Sequence, residues 1–402
     1  MINLEVPKKF SAFVNQANQV AREFLRPNSR KYDAAEHEYP KELDTLAALI
    51  DGLNSSGTGN GAGATGVRRT EDGDQGNRNG SNMSSALSII ETCYGDVGLT
   101  LAMPRQGLGN SAIASVANDE QLKRFEGKWA AMAITEPHCG SDSAAINTTA
   151  KLDGDHYVLN GEKIFITSGE RADAIVVWAT LDKSLGRAAI KSFVVEKGTP
   201  GLTLVRLEHK LGIRASDTAH YRLEDVRVHK DNLLGDPEVN VDKGFAGVMQ
   251  TFDNTRPLVA AMAVGVARAA LEDTLKLLTD AGIEINYDKP AQAQSAAAAI
   301  YLQLEADWEA AYLLTLQAAW MADNRKPNSL QASMAKAKAG RSGVDITLKC
   351  VELAGSVGYS EHELLEKWGR DSKILDIFEG TQQIQQLIVA RRLLNKSSAD
   401  LK

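Results

Sequence analysis

Residues 157–169 read Tyr-Val-Leu-Asn-Gly-Glu-Lys-Ile-Phe-Ile-Thr-Ser-Gly. β-Branched and aromatic residues crowd the segment, Asn and Gly punctuate it, and its apolar runs are too short for an ordinary helix. It reads as a strand with alternating side chains, which puts Phe165 and Thr167 on one face. Asp153-Gly154 and Asn160-Gly161 have the composition of two successive tight hairpin connections. Farther along, Ala174-Ile-Val-Val-Trp178, Phe193-Val-Val195 and Thr203-Leu-Val205 repeat the same pattern between turn residues. Together these runs predict an antiparallel, barrel-like β domain over residues 129–240.

On both sides the apolar period lengthens from two to three or four residues. Phe10, Phe13, Val14, Val20 and Phe24, then Leu43, Leu46, Leu49 and Ile50, recur at helical spacing, and so do Met83, Leu87, Ile90, Ile113 and Val116. Residues 1–128 are therefore expected to form an N-terminal helical domain. It is interrupted over 52–80 by a loop with nine glycines among Ser, Asn, Thr and Asp. Ala- and Leu-rich runs at Gly244–Leu278, Ala291–Ala322, Ser329–Leu353 and Thr381–Leu394 predict a C-terminal four-helix bundle over 241–402. The fold class is mainly α with a middle β domain.

The 402 residues carry 52 acidic and 45 basic side chains, and a net charge of −7 repels a phosphate backbone, so nucleic-acid binding is not expected. Cys93, Cys139 and Cys350 lie far apart without a Cys-x-x-Cys pair, which reads as reduced structural thiols and no metal site. The start lacks the basic and apolar regions of a secretory signal. The most apolar stretch, Pro257–Leu271, contains Arg268 and is shorter than the ~20 residues of a bilayer span. A cytoplasmic protein without membrane insertion is expected. Gly61-Ala-Gly63-Ala-Thr-Gly66 spells a dinucleotide-binding fingerprint but lacks the preceding strand and following helix, so it reads as a surface loop.

Three segments carry chemistry. Ala133-Ile-Thr-Glu-Pro-His-Cys-Gly-Ser-Asp142 joins a strand end to a turn presenting Thr135, Ser141 and backbone amides, the donors a polar heterocycle or carbonyl needs. Phe165 beside Thr167 offers an apolar ring next to a hydroxyl, which suits a flat cofactor. Asp376-Ile-Phe-Glu-Gly-Thr-Gln-Gln383 places Glu379 between an apolar run and a Gly-Thr step that opens a helix. Ile377 and Phe378 would desolvate that carboxylate and raise its pKa, as a general base requires. The plainer alternative is that Glu379 caps the last helix.

These segments, with Leu211-Gly-Ile-Arg-Ala-Ser-Asp-Thr218, Leu223-Glu-Asp-Val-Arg-Val228 and Phe252-Asp-Asn-Thr-Arg-Pro257, resemble the acyl-CoA dehydrogenase family over roughly residues 38–394. The resemblance implies α,β-desaturation of an acyl-CoA thioester. Noncovalent FAD would take a hydride from the β-carbon, a carboxylate would remove the α-proton, and electrons would pass to an electron-transfer flavoprotein. It implies Glu379 as the base, and Ile134, Thr135, Ser141, Phe165, Thr167, Thr381 and Gln383 as FAD contacts. Ser141, Asp253, Arg256 and Gly380 would contact the substrate. The thioester oxygen would be held by the backbone N–H of the base residue and a ribityl hydroxyl. For Arg256, an intrahelical pair with Asp253 is an equally open reading. Some relatives carry the base on the helix of Phe252–Arg256, but the matching position here is Thr255, which cannot serve at neutral pH.

Two stretches depart from the family pattern. In homotetrameric relatives a neighbouring subunit completes each FAD site with an arginine and with a Gln-x-x-Gly-Gly turn. Here Ala281 stands at the arginine, while Glu352 and Ser356 replace the Gln and the second Gly. Glu284, Asp288 and Glu352 would repel a diphosphate. The expectation is a catalytic-base subunit in an α2β2 heterotetramer with a homologous acyl-CoA dehydrogenase subunit. A homo-oligomer and a flavin-poor, non-catalytic interaction subunit are the alternatives.

Overall fold

The computed structural model describes residues 8–47, 80–104, 108–239, 246–397 and 400. The glycine-rich stretch before Gly80, with the fingerprint at 61–66, lies outside the described residues, as do the side chains of 246–254, Asp253 among them.

The chain begins with helices α1 (Ser11–Val20) and α2 (Arg26–Ala34), joined through a π-helical stretch at Ala21–Leu25. After a helical stretch at 42–47, the described residues continue with α3 (Ser81–Gly95), α4 (Val97–Ala102), α5 (Leu108–Val116) and α6 (Asp119–Arg124). Their starts are written in the sequence. Asp96 caps α4 by accepting the Leu99 N–H at 2.6 Å, and Asn118 and Gln121 form a reciprocal capping box on α6.

Seven strands come next: β1 (Ala130–Ala133), β2 (Thr149–Asp153), β3 (His156–Thr167), β4 (Ala174–Thr180), β5 (Ile190–Glu196), β6 (Leu202–Leu207) and β7 (Thr218–His229). The sheet order is β1-β4-β2-β3-β7-β6, with β5 also paired to β4. Most ladders are antiparallel as expected, but β1 runs parallel to β4, Ala130 opposite Ala174. A parallel neighbour needs a long crossover, and here the β2–β3 hairpin supplies it. Every residue of β4 is buried, which explains its unbroken apolar text.

Of the two expected hairpin turns, Asp153-Gly154 forms, with Gly154 at φ 62 and Asp153 opposite His156. Asn160-Gly161 does not turn. β3 runs straight through it, and its register against β7 slips between Leu159 and Gly161. A Cβ on Gly161 would stand 2.4 Å from Thr148 Oγ1, so the glycine is there for close approach across the sheet. A second slip lies between Lys163 and Ile166, with Phe165 at φ 56, so strict alternation also fails there.

The four C-terminal runs become α7 (Ala246–Asp280), α8 (Ala296–Asp323), α9 (Ser329–Tyr359) and α11 (Gln382–Leu394). Between the last two lies α10 (Leu365–Leu375), whose buried face mixes the apolar Leu365, Trp368 and Leu375 with the charged Lys367 and Asp371. Lys367 Nζ donates to Asp96 Oδ2 at 2.6 Å and to Asp371, and all three residues are buried. Asp96 also accepts from Ser29, while Asp371 Oδ1 accepts the Ile213 N–H at 2.5 Å. One ion cluster thus ties the N-terminal helices, the 211–218 loop of the β domain and α10. Among the described residues no helix is long and apolar enough to cross a membrane.

Candidate active site

The chain leaving α10 makes the turn that carries Glu379. Ile374 O accepts the N–H groups of Ile377 and Phe378 at 2.9 and 3.0 Å, and Asp376 O accepts that of Gln382 at 3.2 Å. Glu379 and Gly380 both lie in the left-handed region, at φ 57 and 93. For a glutamate that conformation is unfavourable, of order 1–3 kcal/mol, and persists only where the surroundings impose it. Here Gln385 Nε2 donates to the carbonyls of Glu379 and Gly380 at 3.1 and 3.2 Å, and Lys336 Nζ donates to the Gly380 carbonyl at 2.7 Å. Both donors are fully buried. The helix cap belongs to Thr381, whose hydroxyl accepts the Ile384 N–H at 3.4 Å, so Glu379 does not cap α11.

The Glu379 carboxylate accepts a hydrogen bond from the Thr255 hydroxyl at 2.7 Å. Burial pushes its pKa up; the Thr255 bond and then the charges of Arg256 and Lys336 pull it down. Arg256 is 2% exposed, so its field reaches the carboxylate with little screening. A base acts only when deprotonated, and Thr255 is the largest influence keeping Glu379 so. Thr255→Val should therefore slow any reaction that uses this base several-fold at pH 6 and little at pH 9, read as an acid limb moved to higher pH.

A second group forms at the edge of the sheet. Glu136, buried after β1, accepts the N–H groups of Asn147 and Thr148 at 2.7 and 2.9 Å, the Thr148 hydroxyl at 2.6 Å and Lys163 Nζ at 2.7 Å. Lys163, itself withdrawn from solvent, also donates to Ile134 O at 3.1 Å, and the Ile164 N–H donates to Thr135 O at 3.0 Å. This bolt places half-buried Ile134 and Thr135 beside the bulge that throws Phe165 outward, leaving it 58% exposed. Thr167 is half-buried, and Ser141 is exposed on the neighbouring turn. An exposed aromatic ring beside an aliphatic side chain and two threonines fits a flat heterocycle that needs one apolar face and donors at its edge.

The two groups are joined through the frame. The Ser168 N–H donates to Asp217 O at 3.0 Å, the Ser216 N–H to Ile213 O at 3.0 Å, and the Ile213 N–H to Asp371 on α10, which leads into the Glu379 turn. Gln383 is exposed on the first turn of α11. The residues that sequence reasoning passed over are Glu136, Lys163, Lys336 and Gln385. It also dismissed Thr255 as a base without seeing its bond to Glu379. Glu136 and Lys163 stand inside the Thr-Glu-Pro and Asn-Gly-Glu-Lys motifs; Lys336 could have been found from its spacing with the buried Ala332, Ala335 and Ala339.

Known proteins are similar to this chain in sequence and fold. The family model described as "Acyl-CoA dehydrogenase, middle domain" matches residues 131–226, and "Acyl-CoA dehydrogenase, C-terminal domain" matches residues 242–394. The caffeyl-CoA reductase–Etf complex subunit CarC of Acetobacterium woodii is 34% identical over 329 residues, 80% of this chain and 85% of that protein. The mitochondrial short-chain specific acyl-CoA dehydrogenase of Bos taurus is 41% identical over 267 residues, 66% of this chain; the match spans 63% of that relative's length. The butyryl-CoA dehydrogenase structure from Megasphaera elsdenii superposes with a TM-score of 0.81 at 30% identity, covering 98% of this chain and 100% of that one.

Proposed function

This chain belongs to the acyl-CoA dehydrogenase family, and we propose that it desaturates a short-chain acyl-CoA thioester between its α- and β-carbons. The observation that carries the reading is Glu379: a carboxylate raised in pKa by burial, hydrogen-bonded to Thr255 and held in a left-handed turn. The short-chain preference rests on relatives of that description in Bos taurus and Clostridium acetobutylicum.

In this reading Glu379 takes the α-proton. Burial favours the neutral acid that results, while Thr255, Arg256 and Lys336 keep the resting side chain ionised. The backbone N–H of Glu379, set by the turn, would face the thioester oxygen as negative charge develops on it. Arg256, Ser141, Gly380 and Asp253 would contact the substrate. FAD, held against Ile134, Thr135, Ser141, Phe165, Thr167, Thr381 and Gln383, supplies the acceptor for the β-hydride when bound. An electron-transfer flavoprotein is the proposed recipient of the electrons, in keeping with the Etf complex to which the Acetobacterium woodii relative belongs.

We further propose an α2β2 assembly in which a homologous subunit supplies the arginine that Ala281 lacks. Glu284, Asp288 and Glu352 are exposed and would repel a diphosphate brought beside them, and Leu348 and Tyr359, 54% and 81% exposed, offer apolar surface on the same helix as Glu352. The test is to express the chain alone and with a homologous subunit, measure flavin per chain, and titrate anaerobically with short-, medium-, long-chain and sterol-type acyl-CoAs. The flavin should be incomplete in the lone chain and bleach most readily with butyryl-CoA in the complex. Full flavin and turnover in the lone chain would end the heteromeric reading. No bleaching by any acyl-CoA in a flavin-loaded complex would end the desaturase reading and leave a non-catalytic interaction subunit.

A further inference from the structure

Lys336 lies on the packed face of α9 with Ala332, Ala335, Ala339 and Gly340, and none of its side chain reaches solvent. A buried ammonium is unfavourable unless it is paired. Among the described residues no carboxylate comes within ion-pair distance of it. The nearby Asp376 is instead paired with Arg341 at 3.3 Å and Lys373 at 3.2 Å. The Lys336 charge is directed at a backbone carbonyl, that of Gly380, at 2.7 Å. One helical turn away, a Cβ on Gly340 would stand 2.7 Å from Leu375 O, so α9 and the end of α10 are in backbone contact and the reach of Lys336 is fixed. The charged groups facing it are Asp376 and Glu379 from the turn and Arg256 from α7.

We propose that Lys336 is a positioning residue for the base: its ammonium, seated on the Gly380 carbonyl, holds the left-handed Glu379–Gly380 turn and supplies a positive field that favours the ionised Glu379 carboxylate. The proposal rests on the reading of Glu379 as base. Its geometric and electrostatic parts separate, because Gln385 donates to the same carbonyl, and to that of Glu379, without a formal charge. Burial brings the Lys336 pKa down to about 8, so the field is present in neutral and acidic solution, where it matters for keeping Glu379 ionised.

The experiment compares Lys336→Met, Lys336→Arg and Gln385→Leu with the native chain, using flavin-loaded protein, with its partner subunit if loading requires one. Flavin reduction by butyryl-CoA is followed from pH 5.5 to 9.5. On flavin-free protein, the infrared band of the protonated Glu379 carboxyl is followed across the same range, with Glu379→Gln as blank. Lys336→Met should be roughly tenfold slower at pH 6 and within about threefold of the native rate at pH 9, with the band persisting to higher pH. Gln385→Leu should slow the reaction at all pH values without moving the band. A Lys336→Met profile and band identical to native would overturn the proposal. If Lys336→Met does not fold, Lys336→Arg carries the test: an unmoved limb supports the field, and a displaced one contradicts it. Native turnover in Glu379→Gln would defeat the base reading itself, whereas a dead Glu379→Gln beside an unchanged Lys336→Met would defeat only the inference about Lys336.

Discussion

Glu379→Gln is expected to slow flavin reduction by butyryl-CoA about 10²–10⁴-fold, the range associated with losing a positioned general base. The amide keeps the size of the side chain and can still accept from Thr255, so the turn and its contacts with Gln385 and Lys336 should survive. The change separates chemistry from folding in a further way. Burial raises the folded-state pKa of Glu379 above its unfolded value. Such a carboxyl is no liability below the unfolded pKa, where both states hold the proton. It becomes one as pH rises, and the penalty is complete above the folded pKa. The Gln variant should therefore unfold at the same or a higher temperature than the native chain at pH 8, with the difference closing near pH 4. Stopped-flow reduction and a calorimetric series over pH check both halves. A variant that is both slow and less stable at pH 8 would mean that the carboxylate has a structural role instead.

Lys367→Met should destabilise the fold by about 3–5 kcal/mol, because it leaves the buried Asp96 and Asp371 facing each other without their cation. Asp371 is already pushed up by burial, and losing the ammonium raises it further. In the variant the cost is therefore greatest above the folded pKa of Asp371 and shrinks as acid protonates it, so the deficit in Tm should be smaller at pH 5 than at pH 8. Because the cluster also holds the Ile213 N–H, the β domain should loosen against α10, and proteolysis should cut first in the 211–218 loop. The exposed Lys349–Glu352 pair is the contrast: Lys349→Met should change stability by less than about 1 kcal/mol.

How legible this molecule is depends on what carries each feature. β4 is apolar from Ala174 to Ala179 because both of its faces are buried, and its text says so. The helical blocks follow from apolar spacing in the same way. Asn160-Gly161 misleads because the glycine answers to Thr148 across the sheet, a contact that local composition does not record. In α10 the buried Lys367 and Asp371 interrupt the apolar Leu365, Trp368 and Leu375, and sequence patterning assigns those two charges to solvent until their partner Asp96, far away in the chain, is known. Glu379 is visible through Ile377, Phe378 and the Gly-Thr step. Its tuning is not, since Thr255 and Lys336 come from two other helices and reach it only in the packed bundle.

The central claim is that the Glu379 carboxylate removes the proton next to the thioester carbonyl, and proton nuclear magnetic resonance of butyryl-CoA in D2O addresses it directly. With the flavin-loaded protein and no electron acceptor, the α-hydrogens should exchange with solvent deuterium in the native chain, and that exchange should vanish in Glu379→Gln. Exchange at the native rate in Glu379→Gln would contradict the account.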